Sequence, residues 1–280
     1  MTKTILITGC SSGIGLCVAR GLKSRGYRVV ATARKSDDVA HLQAEGFDAL
    51  LLDLDDSASI HSVVEAVLAS SPEGIYGLFN NGAWGLPGAV EDLSRDALRA
   101  QFETNLFGTM ELTNLVVRHM RARGGGRIIH NSSVLGLVAF PYRGAYNASK
   151  FALEGITDTQ RMELRGTGIH LSLIEPGPIT SRFRDNAFKM YQRWIDKDAS
   201  AHRQQYEAME RRLLKKGPAA PFTLPPEAVL DKVVHALESP RPKIRYYVTV
   251  PTWLFAYLRR LLPGRWLDAA LVKASGDGNR

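Results

Sequence analysis

The chain has 280 residues, of which 45% are hydrophobic and 23% are charged, a composition typical of a soluble globular protein with one large domain or a domain with an appendage. Its formal net charge of +8 would suit nucleic acid or an anionic surface, but no stretch interleaves basic residues with stacking aromatic ones, so we expect no nucleic-acid partner. The first apolar run is too short for a signal peptide or a membrane span, and we expect a cytoplasmic protein.

An apolar, β-branched strand at residues 4–8 leads through a glycine-rich turn into an amphipathic helix. Glycines let the backbone approach a pyrophosphate closely, and a helix N-terminus offers unpaired N–H groups and the positive end of a dipole. Because the glycines lie between a predicted strand and a predicted helix, the context is that of a dinucleotide-binding turn, the alternative being an ordinary tight turn. The predicted cofactor-binding residues of this turn are Gly9, Ser11, Ser12, Gly13, Ile14 and Gly15.

The second predicted strand, residues 28–33, ends at Arg34. No acidic residue stands where a dinucleotide-binding fold would hold the two ribose hydroxyls of NAD, whereas the guanidinium of Arg34 can bind a 2′-phosphate. The sequence therefore predicts NADP(H) in preference to NAD(H). The alternative is that Arg34 is a solvated loop residue.

Two further strands end in candidate cofactor contacts. The strand at 49–52 runs into Asp53 and Leu54, which we expect at the carboxyl edge of the sheet, near an adenine. The strand at 77–79 is followed by a turn that contains Asn81 and Gly82, residue types that stabilise a turn and permit close approach.

The central part of the chain predicts a lipophilic pocket. A helical pattern from Ser94 carries Asn105 in its interior, and the strand at 127–130 delivers Ser133 to the edge of the sheet. Residues 134–142 are too apolar for an exposed loop and are typical of a pocket wall. We therefore expect a lipophilic substrate.

Tyr146 and Lys150 lie four residues apart at the start of a predicted helix, and so share one face. An ammonium beside a phenol favours the phenolate, which predicts a lowered pKa for Tyr146 and a role as acid and base. Taken alone, the pair fits an ordinary half-buried helix contact just as well.

The last third of the chain departs from this pattern. After a strand at 170–174, prolines enforce an extended turn. Residues 182–226 are predicted to be a mobile lid and a linker, and a seventh strand is predicted at 246–250. Residues 251–280 form a basic amphipathic extension, for which packing within the fold, a subunit interface, the substrate cleft and a weak contact with a membrane surface are all open.

Alternation of strands and helices predicts an α/β fold, a doubly wound, mostly parallel seven-stranded Rossmann sheet with helices on both faces and a C-terminal helical extension. Residues 1–250 would form the dinucleotide-binding and catalytic domain. The two cysteines and seven histidines lack the spacing of a disulfide framework or of metal ligands, so free thiols and no metal are predicted.

With these residues in hand, the chain resembles the short-chain dehydrogenase/reductase family over about residues 4 to 250, most closely its hydroxysteroid, retinol and aldehyde reductase type. The matching motifs, in chain order, are Thr8, Gly9, Gly13 and Gly15 of the glycine turn, Asn105, Ser133, and the pair of Tyr146 and Lys150. One departure is the turn Asn80-Asn81-Gly82-Ala83, whose last two residues are exchanged relative to the family.

The resemblance implies that Ser133 bonds the substrate oxygen, that Tyr146 passes the proton, and that Lys150 binds the nicotinamide ribose while lowering the Tyr146 pKa. It also implies that Asn105 holds a water in the proton relay. The extended turn would meet the nicotinamide, with either Thr180 or Ser181 on its carboxamide. The predicted cofactor contacts of that turn are Pro176, Gly177, Ile179 and Ser181.

The sequence thus predicts an NADP(H)-dependent oxidoreductase that interconverts a lipophilic alcohol with its ketone or aldehyde. A non-catalytic dinucleotide-binding scaffold or sensor is the alternative, and four intact catalytic residues argue against it. By analogy with the family, a homodimer or homotetramer is expected.

Overall fold

The computed structural model describes residues 2–217 and 220–276, and its centre is a seven-stranded sheet in which every strand pairing is parallel. The strand order is β3-β2-β1-β4-β5-β6-β7. The predicted fold class is confirmed. The strands are β1 (Thr4–Ile7), β2 (Arg28–Ala33), β3 (Asp48–Leu51), β4 (Ile75–Asn80), β5 (Gly126–Asn131), β6 (Ile169–Glu175) and β7 (Arg245–Tyr247).

Helices cover both faces of the sheet. Those of the described residues are α1 (Gly13–Ser24), α2 (Ser36–Ala44), α3 (Ser57–Ser70), α4 (Arg95–Phe102), α5 (Thr109–Ala122), α6 (Gly144–Glu163), α7 (Phe183–Trp194), α8 (Arg203–Leu213), α9 (Glu227–Glu238), α10 (Val250–Leu261) and α11 (Gly264–Ser275). Apolar residues of α1, α2 and α9 fill the core on one face, and those of α3 and α5 fill it on the other. Because both faces are covered, the strands are apolar runs rather than alternating ones.

The strand order reverses direction next to β1, which lies between β2 and β4. In open parallel sheets, ligands bind outside the carboxyl ends of the strands at such a switch point. The turns after β1 and β4 are therefore placed where a dinucleotide would bind.

A π-helical segment, Glu103–Gly108, joins α4 to α5 and was not predicted. Such wide turns often occur at functional sites, and this one contains Asn105.

The segment predicted as a lid and linker contains α7 and α8, which share a packed apolar cluster with residues after β4. Tyr206 of α8 is fully buried there, and its hydroxyl accepts a hydrogen bond from the Ala89 N–H at 2.9 Å. The segment is thus anchored to the body of the protein, and its mobility stays a prediction. Pro218 and Ala219 lie outside the described residues.

In the C-terminal part, the predicted end of the seventh strand is wrong, and the predicted extension forms two helices. The seventh strand ends at Tyr247 rather than at residue 250, because Val250 is the first residue of α10. Helices α10 and α11 pack within the fold against the loop after β5, through a cluster that includes Phe255 and Leu271. Residues 277–280 of the predicted extension lie outside the described residues, and no described helix combines the length and apolarity needed to cross a bilayer.

Candidate active site

The turns after β1 and β4 are joined into one unit by side-chain hydrogen bonds. The Thr8 hydroxyl accepts hydrogen bonds from the N–H groups of Asn81 at 2.9 Å and Gly82 at 2.8 Å. In return, the Asn81 amide donates to the carbonyl oxygens of Thr8 and Gly9, both at 3.1 Å. The exchange of the last two residues in the Asn80–Ala83 turn therefore leaves this connection intact.

The glycines of the first turn are required by close backbone contacts. A Cβ atom on Gly9, where φ is +70°, would lie 2.8 Å from the Gly82 Cα, and one on Gly15 would lie 2.2 Å from the Gly9 oxygen. A Cβ atom on Gly13 would lie 3.0 Å from the Ser181 Cβ. Helix α1 begins at Gly13 without a side-chain cap on its first N–H groups, so the turn keeps donors for a bound anion.

The turn after β6 closes the site from the other side. Ser181 rather than Thr180 lies against the glycine turn, since Thr180 pairs its N–H with the Leu224 oxygen at 3.0 Å and is exposed. The carbonyl oxygen of Pro176 accepts from the Val134 N–H at 2.8 Å. A Cβ atom on Gly177 would lie 2.1 Å from the Thr249 hydroxyl, so this turn is packed closely.

The residues predicted at the adenine end lie on the far side of β1. Arg34 follows β2 and is exposed, and its side chain forms no hydrogen bond or ion pair within the described part of the chain. Asp53, after β3, donates its N–H to the Ser59 hydroxyl at 3.0 Å, and Leu54 is buried. The strand order separates this group from the predicted catalytic residues.

The predicted catalytic residues meet where β5 ends. Ser133 is buried just beyond this strand, where its hydroxyl accepts from the Leu135 N–H at 3.1 Å. Tyr146 is half-buried in the first turn of α6, and the Ser133 side chain lies close enough to its phenol to lower the pKa of that group. Lys150 lies one turn later, with its ammonium nitrogen 5.7 Å from the centre of the Tyr146 ring.

The pKa of Tyr146 differs from the sequence-based expectation. Burial raises it to about 12, and the neighbouring Ser133 side chain opposes this rise only in part. The ammonium of Lys150 donates to the Asn131 oxygen at 2.8 Å. The phenol therefore keeps its proton at neutral pH, and a lowering of its pKa by Lys150 stays a prediction.

Lys150 is almost fully buried, with 2% of its surface exposed. Burial lowers the pKa of its ammonium to about 8, while the nearby Glu154 acts in the opposite direction. A cation is disfavoured where water is excluded. Lys150 thus titrates close to neutral pH.

Asn105 is buried in the π-helical segment and bonds to the protein with both ends of its amide. Its oxygen accepts from the Trp84 N–H at 3.1 Å, and its nitrogen donates to the Trp84 oxygen at 2.9 Å and to the Ser149 hydroxyl at 3.1 Å. These bonds connect the turn after β4 with helix α6. The water that Asn105 is expected to hold stays a prediction.

Four ionisable residues beneath the site were missed by sequence analysis. Glu175 ends β6 fully buried, and Arg245 of β7 lies 3.1 Å from one of its oxygens. The same guanidinium donates to Glu154 at 3.0 Å and to Asp158 at 2.7 Å. Burial and the neighbouring Glu154 raise the pKa of Glu175 to about 9. The spacing of Glu154 four residues after Lys150 was the available signal.

Phe183, the first residue of α7, was also missed. Its ring packs edge-on against Tyr146 at a centroid distance of 5.3 Å. A Cβ atom on Gly85 would lie 2.7 Å from the Phe183 ring and 3.2 Å from the Tyr146 ring. The predicted lid segment therefore reaches the reactive phenol.

The apolar loop after Ser133 is buried rather than exposed, and its role as a pocket wall stays a prediction. Val134, Leu135 and Val138 are buried against Phe255 of α10, and the Tyr146 ring packs against the same cluster. Cys10 and Cys17 are free, and the described residues contain no group of three or more histidine, cysteine or acidic side chains that could hold a metal ion.

Comparison with known proteins gives a consistent result. Residues 3–192 match the family model described as short chain dehydrogenase. The chain is 46% identical to the uncharacterized oxidoreductase YbbO of Escherichia coli K12, over 97% of this chain and 94% of that protein. It is 33% identical to human 17-beta-hydroxysteroid dehydrogenase type 1, over 89% and 78% of the two chains.

A solved structure of a short-chain dehydrogenase from Streptomyces avermitilis has the same fold, with a TM-score of 0.79 at 24% identity, covering 100% of this chain and 99% of that one. The glycine turn at the switch point and the serine, tyrosine and lysine beside it occupy the matched region. The chain therefore belongs to the short-chain dehydrogenase/reductase family of oxidoreductases.

Proposed function

We propose that the protein is an NADP(H)-dependent oxidoreductase that interconverts a lipophilic alcohol with its ketone or aldehyde. The observation that carries this proposal is that the Ser133 side chain lies close enough to the Tyr146 phenol to lower its pKa, with the buried ammonium of Lys150 5.7 Å from the centre of the same ring. Two neighbouring hydroxyls are placed to share the oxygen of one substrate.

The residues suit a reduction that is completed by proton transfer. Because the pKa of Tyr146 is about 12, its phenol carries a proton that it can donate to the substrate oxygen. Ser133 donates a hydrogen bond to that same oxygen and stabilises the charge that develops there. The ammonium of Lys150 stabilises the phenolate left behind. A bound nicotinamide would supply the hydride.

The site suits a nicotinamide cofactor because several of its hydrogen-bond donors have no partner within the described residues. An ammonium carries three N–H donors, and within the described residues that of Lys150 uses one, on the Asn131 oxygen. A buried cation with open donors suits the hydroxyls of a ribose. The uncapped start of α1 and the glycine contacts suit a pyrophosphate, with Ser11, Ser12 and Ile14 in the same turn.

The preference for NADP(H) rests on Arg34. Its guanidinium is exposed at the end of β2 and has no partner among the described residues, so it is available for a 2′-phosphate. The lipophilic substrate rests on the apolar loop after Ser133 and on Phe183. The human relative is named for a steroid, a molecule that belongs to that class.

The test is a substrate panel. Purified protein is mixed with NADPH, and in parallel with NADH, and with hydrophobic aldehydes and ketones of increasing chain length; a short polar aldehyde is the control. We expect loss of reduced-nicotinamide absorbance with the longer carbonyl compounds, and more with NADPH. No loss with any compound, in either direction of reaction, would contradict the proposal.

We also propose that two copies pair through α5 and α6. Phe107, Ile156 and Met162 expose 53%, 40% and 62% of their surface beside these helices, which is unusual for large apolar residues. Light scattering is expected to report a dimer or tetramer that Ile156→Asp shifts to monomer. A wild-type monomer would contradict this.

A further inference from the structure

Helix α10 has two apolar faces, only one of which is buried. Phe255 and Ala256 on the inner face pack within the fold. The other face exposes five residues spaced three or four apart, a stripe along the helix. They are Val250, Trp253, Leu254, Tyr257 and Leu261, with 59%, 47%, 52%, 51% and 76% of their surface exposed. Trp266, 69% exposed, follows in the first turn of α11. We call these six residues the tail surface.

The tail surface is surrounded by cations. Between residues 250 and 275 the chain has four basic residues and one acidic residue, Asp268, so the net charge of this stretch is +3. Arg259 is exposed, but its guanidinium donates to the Leu137 oxygen and lies over the Phe151 ring. The side chains of Arg260, Arg265 and Lys273 form no ion pair or hydrogen bond with any described residue.

We propose that the tail surface docks the protein onto an anionic lipid bilayer. Tryptophan and tyrosine favour the interface between headgroups and acyl chains, and leucine and valine favour the acyl region. Unpaired cations beside such a stripe are attracted to anionic headgroups. The helix lies on the bilayer, consistent with the absence of a membrane-crossing helix among the described residues.

A second copy of the chain fits the tail surface less well than a bilayer does. In a symmetric dimer the same patch faces itself, so Arg260, Arg265 and Lys273 would approach the same cations of the partner. Asp268 is the single acid available to offset them. Anionic headgroups satisfy the apolar stripe and the cations together.

Docking would also place the candidate pocket next to the lipid. The buried face of α10 packs on the loop after Ser133, and the Tyr146 ring packs against the same cluster. A lipophilic substrate dissolved in the bilayer would then enter beside α10. This last step rests on the proposed function, whereas docking does not.

The test is co-sedimentation of the full chain with vesicles of phosphatidylcholine alone or mixed with phosphatidylglycerol. We expect binding to the mixed vesicles that weakens with added salt. Leu254→Asn with Leu261→Asn is expected to weaken binding by about tenfold for each leucine. Arg260→Gln, Arg265→Gln and Lys273→Gln together are expected to weaken it by about fivefold for each cation.

Matched controls remove similar groups elsewhere. Leu51→Asn with Leu214→Asn removes two exposed leucines elsewhere, and Arg95→Gln, Arg211→Gln and Arg241→Gln together remove the same charge from other exposed positions. These controls should bind like the wild type. Equal losses in the controls, or no binding of the wild type to anionic vesicles, would overturn the proposal.

Light scattering of the leucine variant separates the alternatives. An unchanged oligomeric state supports lipid docking, whereas dissociation of a dimer would show that a second copy covers the tail surface and would overturn it. Turnover of a water-dispersed carbonyl compound should stay unchanged in the variant. Loss of vesicle binding with full turnover therefore tests docking separately from the proposed reaction.

Discussion

Apolar side chains are usually buried and ionisable ones exposed, and two regions of the molecule depart from this pattern in opposite directions. They are the carboxyl edge of the sheet and helix α10. At the edge, ionisable groups are buried: Lys150 and Glu175 expose 2% and 0% of their surface. On α10, tryptophan and leucine are exposed although burial would be favourable.

The difference shows what each region requires from its surroundings. Buried charges are stable only with partners in place, so a substitution at the edge affects many contacts. Exposed apolar groups have fewer contacts within the fold to lose, and their effect should appear mainly when a partner is present.

The largest effect is expected for Tyr146→Phe, which removes the proton donor and keeps the ring. Turnover with NADPH should fall by about a thousandfold, the contribution typical of general acid catalysis. NADPH binding, measured by its fluorescence, should persist. Tyr257→Phe removes the same hydroxyl from the tail surface and should leave turnover unchanged. Retention of most activity by Tyr146→Phe would refute its assignment.

Arg245→Met should destabilise the fold by roughly 3 kcal/mol in urea unfolding, because it removes the partner of buried Glu175 and of Glu154. The matched change in the tail, Arg260→Met, should stay within about 0.5 kcal/mol. Equal effects of the two substitutions would show that the buried carboxyls do not depend on the arginine.

Arg34→Ala should lower the preference for NADPH over NADH by about ten- to a hundredfold, since a charge-assisted bond contributes about 1.5–3 kcal/mol. The ratio of kcat/KM values for the two cofactors measures it. Arg118→Ala, an exposed arginine on α5, is the control. An unchanged ratio would assign the 2′-phosphate to another residue.

Alkaline pH should lower the kcat/KM of the enzyme for NADPH, because the Lys150 ammonium loses its proton near pH 8. We expect kcat/KM for NADPH to fall as pH rises through about 8. The unfolded chain keeps this proton up to its ordinary pKa of 10.5, so the same group makes the free energy of unfolding rise with pH between these values.

Glu154→Gln sharpens this test. Since Glu154 raises the pKa of Lys150, its neutral replacement should move the decline in kcat/KM to lower pH. A decline that stays in place would mean that another group titrates there.

The smallest effect is expected for Leu261→Asn on α10. Its side chain is 76% exposed, so the free energy of unfolding should change by no more than about 0.5 kcal/mol. Leu153→Ala, at a buried position of α6, should cost about 2–5 kcal/mol. A large loss with Leu261→Asn would show that this leucine is packed in solution.

Local patterns were sufficient for the strands, most helices and the turn that begins α1. Apolar runs and glycine positions can be recognised within a short stretch of sequence. Parallel strands then bring the residues at their carboxyl ends to the same edge of the sheet. The meeting of Ser133, Tyr146 and Lys150 was predictable in this way. The π-helical segment around Asn105 was not, because its wide turn depends on the contacts that Asn105 makes with Trp84 and Ser149.

The sequence by itself determined the α/β order, the glycine turn and the candidate catalytic residues, because each depends on the spacing of residues close together in the chain. Only the tertiary structure decided the electrostatics and the exposed surfaces. The pKa of Tyr146 follows from burial and from the neighbouring Ser133 side chain, and Arg245 reaches Glu154 from a strand 91 residues away. Which face of α10 stays exposed depends on what the rest of the fold covers.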